Sequence, residues 1–210
     1  MKIAFIGTQC NGKSTLIEEF MQRWPMYTKP EKTYRDFIKD KKIKLNKKGD
    51  EKSQKLILNA LIDEIQEATA SEHKFMVFDR CVIDNMAYSL WLNSKDSGKV
   101  SDSFIIDSRF LVNQTVKLFD LIFYIPLREE IPLVKRAGRD VDPEFRKEID
   151  YILDAMVGTY EKNKGIYFPL EDCPAVIRLE GPPDLRLEQI RLYLKDDGKP
   201  FGVEDGSLIA

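Results

Sequence analysis

Gly7-Thr8-Gln9-Cys10-Asn11-Gly12-Lys13-Ser14 is the run whose residue types and spacing could do chemistry. It fills every fixed position of the pattern G-x-x-x-x-G-K-[ST]. A polyphosphate is densely charged, and its oxygens need many donors with no bulky side chain in the way. Glycines at 7 and 12 let the backbone curl so that successive N–H groups point inward. The first turn of a helix just beyond, through Ser14 and Thr15, adds unsatisfied donors and the positive end of its dipole. Lys13 reaches the β- and γ-phosphates as a point charge, and the Ser14 hydroxyl is a ligand for Mg²⁺. The run is thus a candidate site for ATP with its magnesium ion. Other nucleoside triphosphates, GTP among them, fit the same loop.

Such a loop needs a strand before it and a helix after it. Lys2-Ile3-Ala4-Phe5-Ile6 is the apolar run of a buried parallel strand, and Leu16, Ile17, Phe20 and Met21 share one side of the following helix. Trp24-Pro25 ends that helix, and Met26-Tyr27-Thr28 reads as a short second strand. Pro30-Glu31 opens a helix through Ile38, Pro and Glu being suited to a first turn. A further helix covers residues 50–69, its apolar stripe broken once by Glu64. Buried strands follow at 75–78, 121–126 and 175–179, with helices at 83–91, 104–119, 142–162 and 185–194 between and after them. Strands alternating with helices predict an α/β fold, a parallel sheet of about five strands with helices on both faces. Residues 1–195 form one domain, with a lid at about 128–146 and a mobile tail from 196.

In such a sheet, ligands gather at the carboxyl ends of the strands, which assembles further candidates on one rim. Asp79 closes the 75–78 strand, where a carboxylate can hold Mg²⁺; an ion pair capping the strand end is the other reading. Arg80 beside it can bind an anionic group of an acceptor, and Asp84, one turn on, is a further candidate to meet that acceptor. Glu31 can take the proton of an acceptor hydroxyl or be an ordinary acid of a first helical turn. Arg35, one turn later, can pair with Glu31 or touch the acceptor. Arg128, Arg136, Arg139 and Arg146 flank Gly138 and read either as a closing lid, Arg139 toward the moving phosphoryl group and Arg136 toward the nucleotide, or as solvated helix arginines. Pro182, in Gly181-Pro182-Pro183, offers a backbone edge to the adenine.

Composition narrows the classes. Hydrophobic residues make up 43% and charged residues 32% of the 210, which suits a globular chain rather than a disordered one. The net charge of −2 gives no global case for nucleic-acid binding. The local exception is Lys39, Lys41, Lys42, Lys44, Lys47 and Lys48, either a solvated loop or a surface for DNA. Cys10, Cys81 and Cys173 lack the spacing of a disulfide framework or zinc site, so reduced thiols and a cytoplasmic location are expected. His73, in a polar turn, is a surface residue. No apolar run reaches the length of a membrane span, and the oligomeric state is open.

The runs GTQCNGKST, PEKTYRDFI, FDRCVIDNMAY and EGPPDLRLEQI, with the arginine-bearing stretch before the last, resemble the P-loop kinases of nucleosides and nucleotides. The likeness is strongest to the ribosylnicotinamide-kinase-like group of AAA type, with thymidylate and deoxynucleoside kinases further off, and it covers residues 1–194. It implies a P-loop NTPase fold, ATP and Mg²⁺ as cofactors, and a nucleoside or nucleotide acceptor. By the same resemblance Asp79 serves the metal or the nucleophile, Arg80 meets phosphate or substrate, and Glu31 is the base toward a sugar hydroxyl. The chain departs from the nicotinamide kinases in carrying Arg136-Ala137-Gly138-Arg139-Asp140 where they have Asp-Gly-x-Arg, and in the lysine-rich insert. The acceptor therefore stays open among nucleosides, nucleotides and a polynucleotide or hydroxymethylated base within DNA, and a regulatory NTP-binding switch is the reading from another class.

Overall fold

A computed structural model describes residues 1–95, 99–128 and 142–201. Most of the expected lid, with Arg136, Gly138 and Arg139, lies outside the described residues, as does the end of the tail from 202.

Four short apolar runs become parallel strands: β1 (Lys2–Ile6), β2 (Met76–Asp79), β3 (Leu121–Tyr124) and β4 (Ala175–Arg178), in the order β2-β1-β3-β4. The register sets Ile3 beside Val77 and Leu121, and Phe5 beside Asp79 and Phe123. Because side chains alternate across a strand, each run feeds two separate cores. Ile3, Phe5, Val77, Leu121 and Phe123 meet Leu16, Ile17 and Phe20 of α1 (Lys13–Arg23) and Ile190 of α7 (Pro183–Ile190) on one face. Ala4, Ile6, Phe78, Ile122 and Tyr124 face the larger core on the other side. That core is closed by α3 (Glu51–Ala70), α4 (Val82–Lys95), α5 (Asp102–Val116) and α6 (Pro143–Glu161).

The fifth expected strand contracts to one parallel bridge, Thr28 with Met76. Trp24 and Tyr27 are drawn into the core on either side of Pro25, and Pro30 has no N–H to extend a ladder. The helix expected from Pro30 starts later, as α2 (Tyr34–Lys41). Its entry is set at Thr33, whose N–H (2.9 Å) and hydroxyl (2.8 Å) both donate to the Asp36 carboxylate. A side chain that binds the backbone three residues earlier outcompetes the Pro-Glu signal. Glu31 consequently sits in an exposed bend and not in a first helical turn.

Residues 195–201 return to the end of α1, where Arg23 meets Asp196. The Tyr27 hydroxyl donates to Gly198 O (2.6 Å), and the Trp24 indole donates to Lys195 O (2.8 Å). Among the described residues, no helix is long and apolar enough to cross a membrane.

Candidate active site

The loop between β1 and α1 has the shape its glycines allow. At Gly7 (φ +146°) a Cβ would fall 2.6 Å from Ile125 O, so the loop can pass β3 only without a side chain there. Gly12 (φ +78°) and Cys10 (φ 54°) both take the left-handed conformation. Asn11, nearly fully buried, pins the loop to the end of β3 through Nδ2, which donates to Ile125 O (2.6 Å) and Pro126 O (3.1 Å).

The loop's carbonyls are held by cations. Lys13 Nζ donates to Gly7 O and to Thr8 O (2.6 Å). Arg146 Nε and Nη2 take Gln9 O (2.9 Å) and Cys10 O (3.0 Å), and Arg186 Nη1 takes Asn11 O (2.9 Å). Five consecutive carbonyls are thus oriented by three cationic side chains. In a trans peptide the N–H points opposite the carbonyl, so fixing the carbonyls fixes the donors left for a ligand. Arg146, grouped by sequence with the lid, is 3% exposed and belongs to the frame of the loop.

Burial, then the nearby Arg80 charge, lowers the Lys13 ammonium to about 7, although Asp84 and Asp79 pull it up. Asp79 closes β2 with Oδ2 accepting from Ser14 Oγ (2.9 Å) and from Arg35 Nη2 (2.8 Å). Burial would raise this carboxyl, but the charges of Lys13, Arg35 and Arg80 and the Ser14 bond outweigh it and hold it low. Its Oδ1 is buried with no hydrogen-bond partner among the described residues. Two hard oxygen donors side by side, one carrying an orphaned carboxylate atom, fit a magnesium ion.

Arg80 turns back from the strand end with φ 94°, a conformation that costs a side-chain-bearing residue energy and recurs at functional sites. It meets Asp84 Oδ1 (3.1 Å) and lies over the Tyr88 ring, 5.3 Å from its centre. Burial works against its charge, yet Tyr88, Tyr34, Asp84 and Asp79 together raise it well above the usual arginine value. Asp84, 1% exposed, also accepts from Gly7 N–H (3.2 Å) and Cys81 N–H (3.1 Å). Its carboxylate, expected to meet an acceptor, is therefore engaged in joining the phosphate loop to the start of α4.

Lys13, Ser14, Asp79, Arg80 and Arg35 come together at one end of the sheet. Arg35 has Asp79 and not Glu31 as its ion-pair partner. Thr8 is buried, Gln9 and Cys10 are half-buried, and Thr15 is exposed on the first turn of α1. Pro182 caps α7 one turn before Arg186, which ties the Gly181-Pro182 turn to the loop's neighbourhood.

Two buried charges extend the site beyond the expected residues. Arg186 shares the inward phase of Ile190, four residues on, an apolar stripe broken by a cation. Glu64, the acid that breaks the α3 stripe, accepts the Tyr34 N–H at 2.7 Å and so holds the start of α2. Burial raises Glu64 to about 7, partly offset by that hydrogen bond.

Comparison with known proteins bears on the fold. Structural matches include NadR in complex with NR (16% identity, 90% of this chain and 48% of that one, TM-score 0.59). They also include thymidylate kinase from Candida albicans (17%, 90% and 88%, 0.62) and deoxyadenosine kinase from M. mycoides with products bound (22%, 90% and 96%, 0.59). The chain spans about half the length of NadR. At these identities the likeness is one of fold. No curated protein matches. The AAA domain family profile matches residues 2–164, most of the chain, and the protein belongs to that family.

Proposed function

We propose that the protein moves the γ-phosphate of ATP to a hydroxyl or phosphate of a nucleoside, a nucleotide or a close analogue. The observation that carries this is the 2.9 Å bond between Ser14 Oγ and Asp79 Oδ2, which unites the loop hydroxyl with an acid from 65 residues away. A hydrolytic switch needs the loop and the metal ligands as well; the φ of 94° at Arg80, a conformation that recurs at functional sites, supports a further role beside Asp79, that of meeting an acceptor.

In this reading Lys13 leaves the Gly7 and Thr8 carbonyls for the β- and γ-phosphates. The loop N–H groups, fixed from behind by Arg146 and Arg186, bind the phosphate oxygens. Ser14 and Asp79 would hold Mg²⁺, which supplies charge neutralisation on the β- and γ-oxygens. Asp79 suits that task because the charges of Lys13, Arg35 and Arg80 favour its ionised form. Glu31 is left as the group that accepts the acceptor's proton, and Arg80 and Arg35 orient the acceptor. Arg136 and Arg139, which lie outside the described residues, keep the roles expected from the sequence, toward the nucleotide and the moving phosphoryl group.

The test is transfer of labelled γ-phosphate from ATP, with GTP as competitor, across a panel of nucleosides, nucleotides and oligonucleotides. A labelled acceptor that vanishes with Lys13→Ala and falls at least about 100-fold with Asp79→Asn supports the reading. Release of inorganic phosphate with no labelled acceptor in the panel would favour the switch instead.

A further inference from the structure

The exposed lysines around α2 make a track that starts at the metal-side acid. Tyr34 and Ile38 turn α2 inward, while Arg35 and Lys39, one turn apart, lie on its exposed side and Lys42 follows at its end. Arg35 touches Asp79, so this row begins at the site and runs about 10 Å outward along the helix. The segment beyond is ordered by its own backbone. Lys42 takes the left-handed conformation (φ 51°), and Ile43 N–H donates to Ile38 O (3.1 Å), with Ile43 packed against the core. A 3₁₀ turn at Asn46–Lys48 then leads into α3.

Residues 39–55 contain eight lysines and three acids in a chain whose total charge is −2. Two of those acids are engaged locally. Asp50 caps α3 by accepting from Ser53 N–H (2.9 Å), and Glu51 accepts from Ser101 N–H (2.8 Å). The exposed ammonium groups of Lys39, Lys41, Lys42 and Lys48 have no carboxylate within ion-pair distance among the described residues. Asp36 and Asp40 are exposed on the same helix, yet eight lysines against three acids leave residues 39–55 strongly positive, and a positive stretch leading away from the proposed phosphoryl-transfer site matches a chain of phosphates.

We infer that the acceptor is one unit of a single-stranded polynucleotide whose phosphate backbone lies along α2 and the turn after it. This rests on the phosphotransferase reading above. An unpaired strand is specified because a nucleotide within a duplex must leave the stack before an enzyme can work on it. Sugar and base then enter between Arg35 and Arg80, and neighbouring phosphates rest on Lys39, Lys42 and Lys48.

Fluorescence anisotropy with a labelled single-stranded oligonucleotide, titrated at several salt concentrations without ATP, tests the surface directly. Binding should weaken with salt, and Lys39→Gln, Lys42→Gln and Lys48→Gln combined should reduce the logarithmic slope by about two units. The same positions changed to Arg should keep the slope. Transfer to the oligonucleotide should fall with the glutamines, while transfer to a free nucleotide stays unchanged. No binding at low salt, an unaltered slope, or binding only to phosphatidylserine–phosphatidylcholine vesicles would overturn the inference. Transfer to free nucleotides alone would overturn it too, leaving the kinase reading intact. Strand binding with no transfer to any acceptor would overturn the kinase reading and, with it, the strand's role as acceptor.

Discussion

At the scale of single residues, the site depends on side chains that stand behind the phosphate loop as much as on those that face it. Arg186 is 1% exposed and gives one hydrogen bond to Asn11 O, while its Nε and Nη2 have no partner among the described residues. Retaining a buried cation under such conditions is costly, which argues that the carbonyl it orients matters. Arg186→Met should raise the dissociation constants of ATP and ADP about tenfold, the effect of losing one charge-assisted hydrogen bond, while the KM for acceptor holds. Calorimetric titration checks this, and Arg186→Lys should recover part of the affinity. The front of the loop was legible from residues 7 to 14 because glycine, lysine and serine have few other reasons to recur at that spacing. The back was not, because a lone arginine in a terminal helix reads as a surface charge. Only its coincidence with the inward phase of Ile190 distinguishes it.

At the scale of elements, α2 shows why boundaries are harder to read than the elements themselves. Pro30-Glu31 looked like a helix start, yet Asp36 reaching back to Thr33 sets the entry, and Glu64 from α3 takes the first free N–H of the helix. That last contact joins residues 30 apart, and nothing in the local spacing announces it. It also makes stability depend on pH. Glu64 is raised to about 7 from an ordinary 4.5, so the folded state binds its proton more tightly than the unfolded chain does. Its contribution is complete below the ordinary value and is lost as pH climbs through the folded one. Glu64→Gln should flatten the loss of stability between these two pH values. Urea midpoints measured across that window would show it, and parallel curves for the two proteins would refute the assignment.

At the scale of the molecule, the α/β architecture was readable because four apolar runs with helical segments between them leave few arrangements other than a parallel sheet. What the pattern missed is a matter of reach. The strand expected at 26–28 is reduced to a single bridge at Thr28, and the return of residues 195–201 depends on Tyr27 and Trp24, distant in sequence. The smaller core is aromatic at its centre. Phe20 lies 5.5 Å from Phe5, 4.9 Å from Trp24 and 4.9 Å from Tyr27. Phe20→Ala should therefore cost about 3–5 kcal/mol of stability, read as a shift in denaturation midpoint at constant slope. Nucleotide affinity below the transition should change little, since Phe20 lies on the buried side of α1.

The folded-back Lys13 has a thermodynamic corollary. With its ammonium held near 7 in the ligand-free loop, part of the population is neutral at physiological pH, and an incoming polyphosphate restores the full charge. Complex formation must then draw a proton from the medium. Titrations in buffers of unlike ionisation enthalpy should give different heats at the same affinity, and affinity should drop by up to about tenfold for each pH unit above neutrality. On the proposed function, the ligand-free protein would thereby respond to alkalinity before it meets a nucleotide.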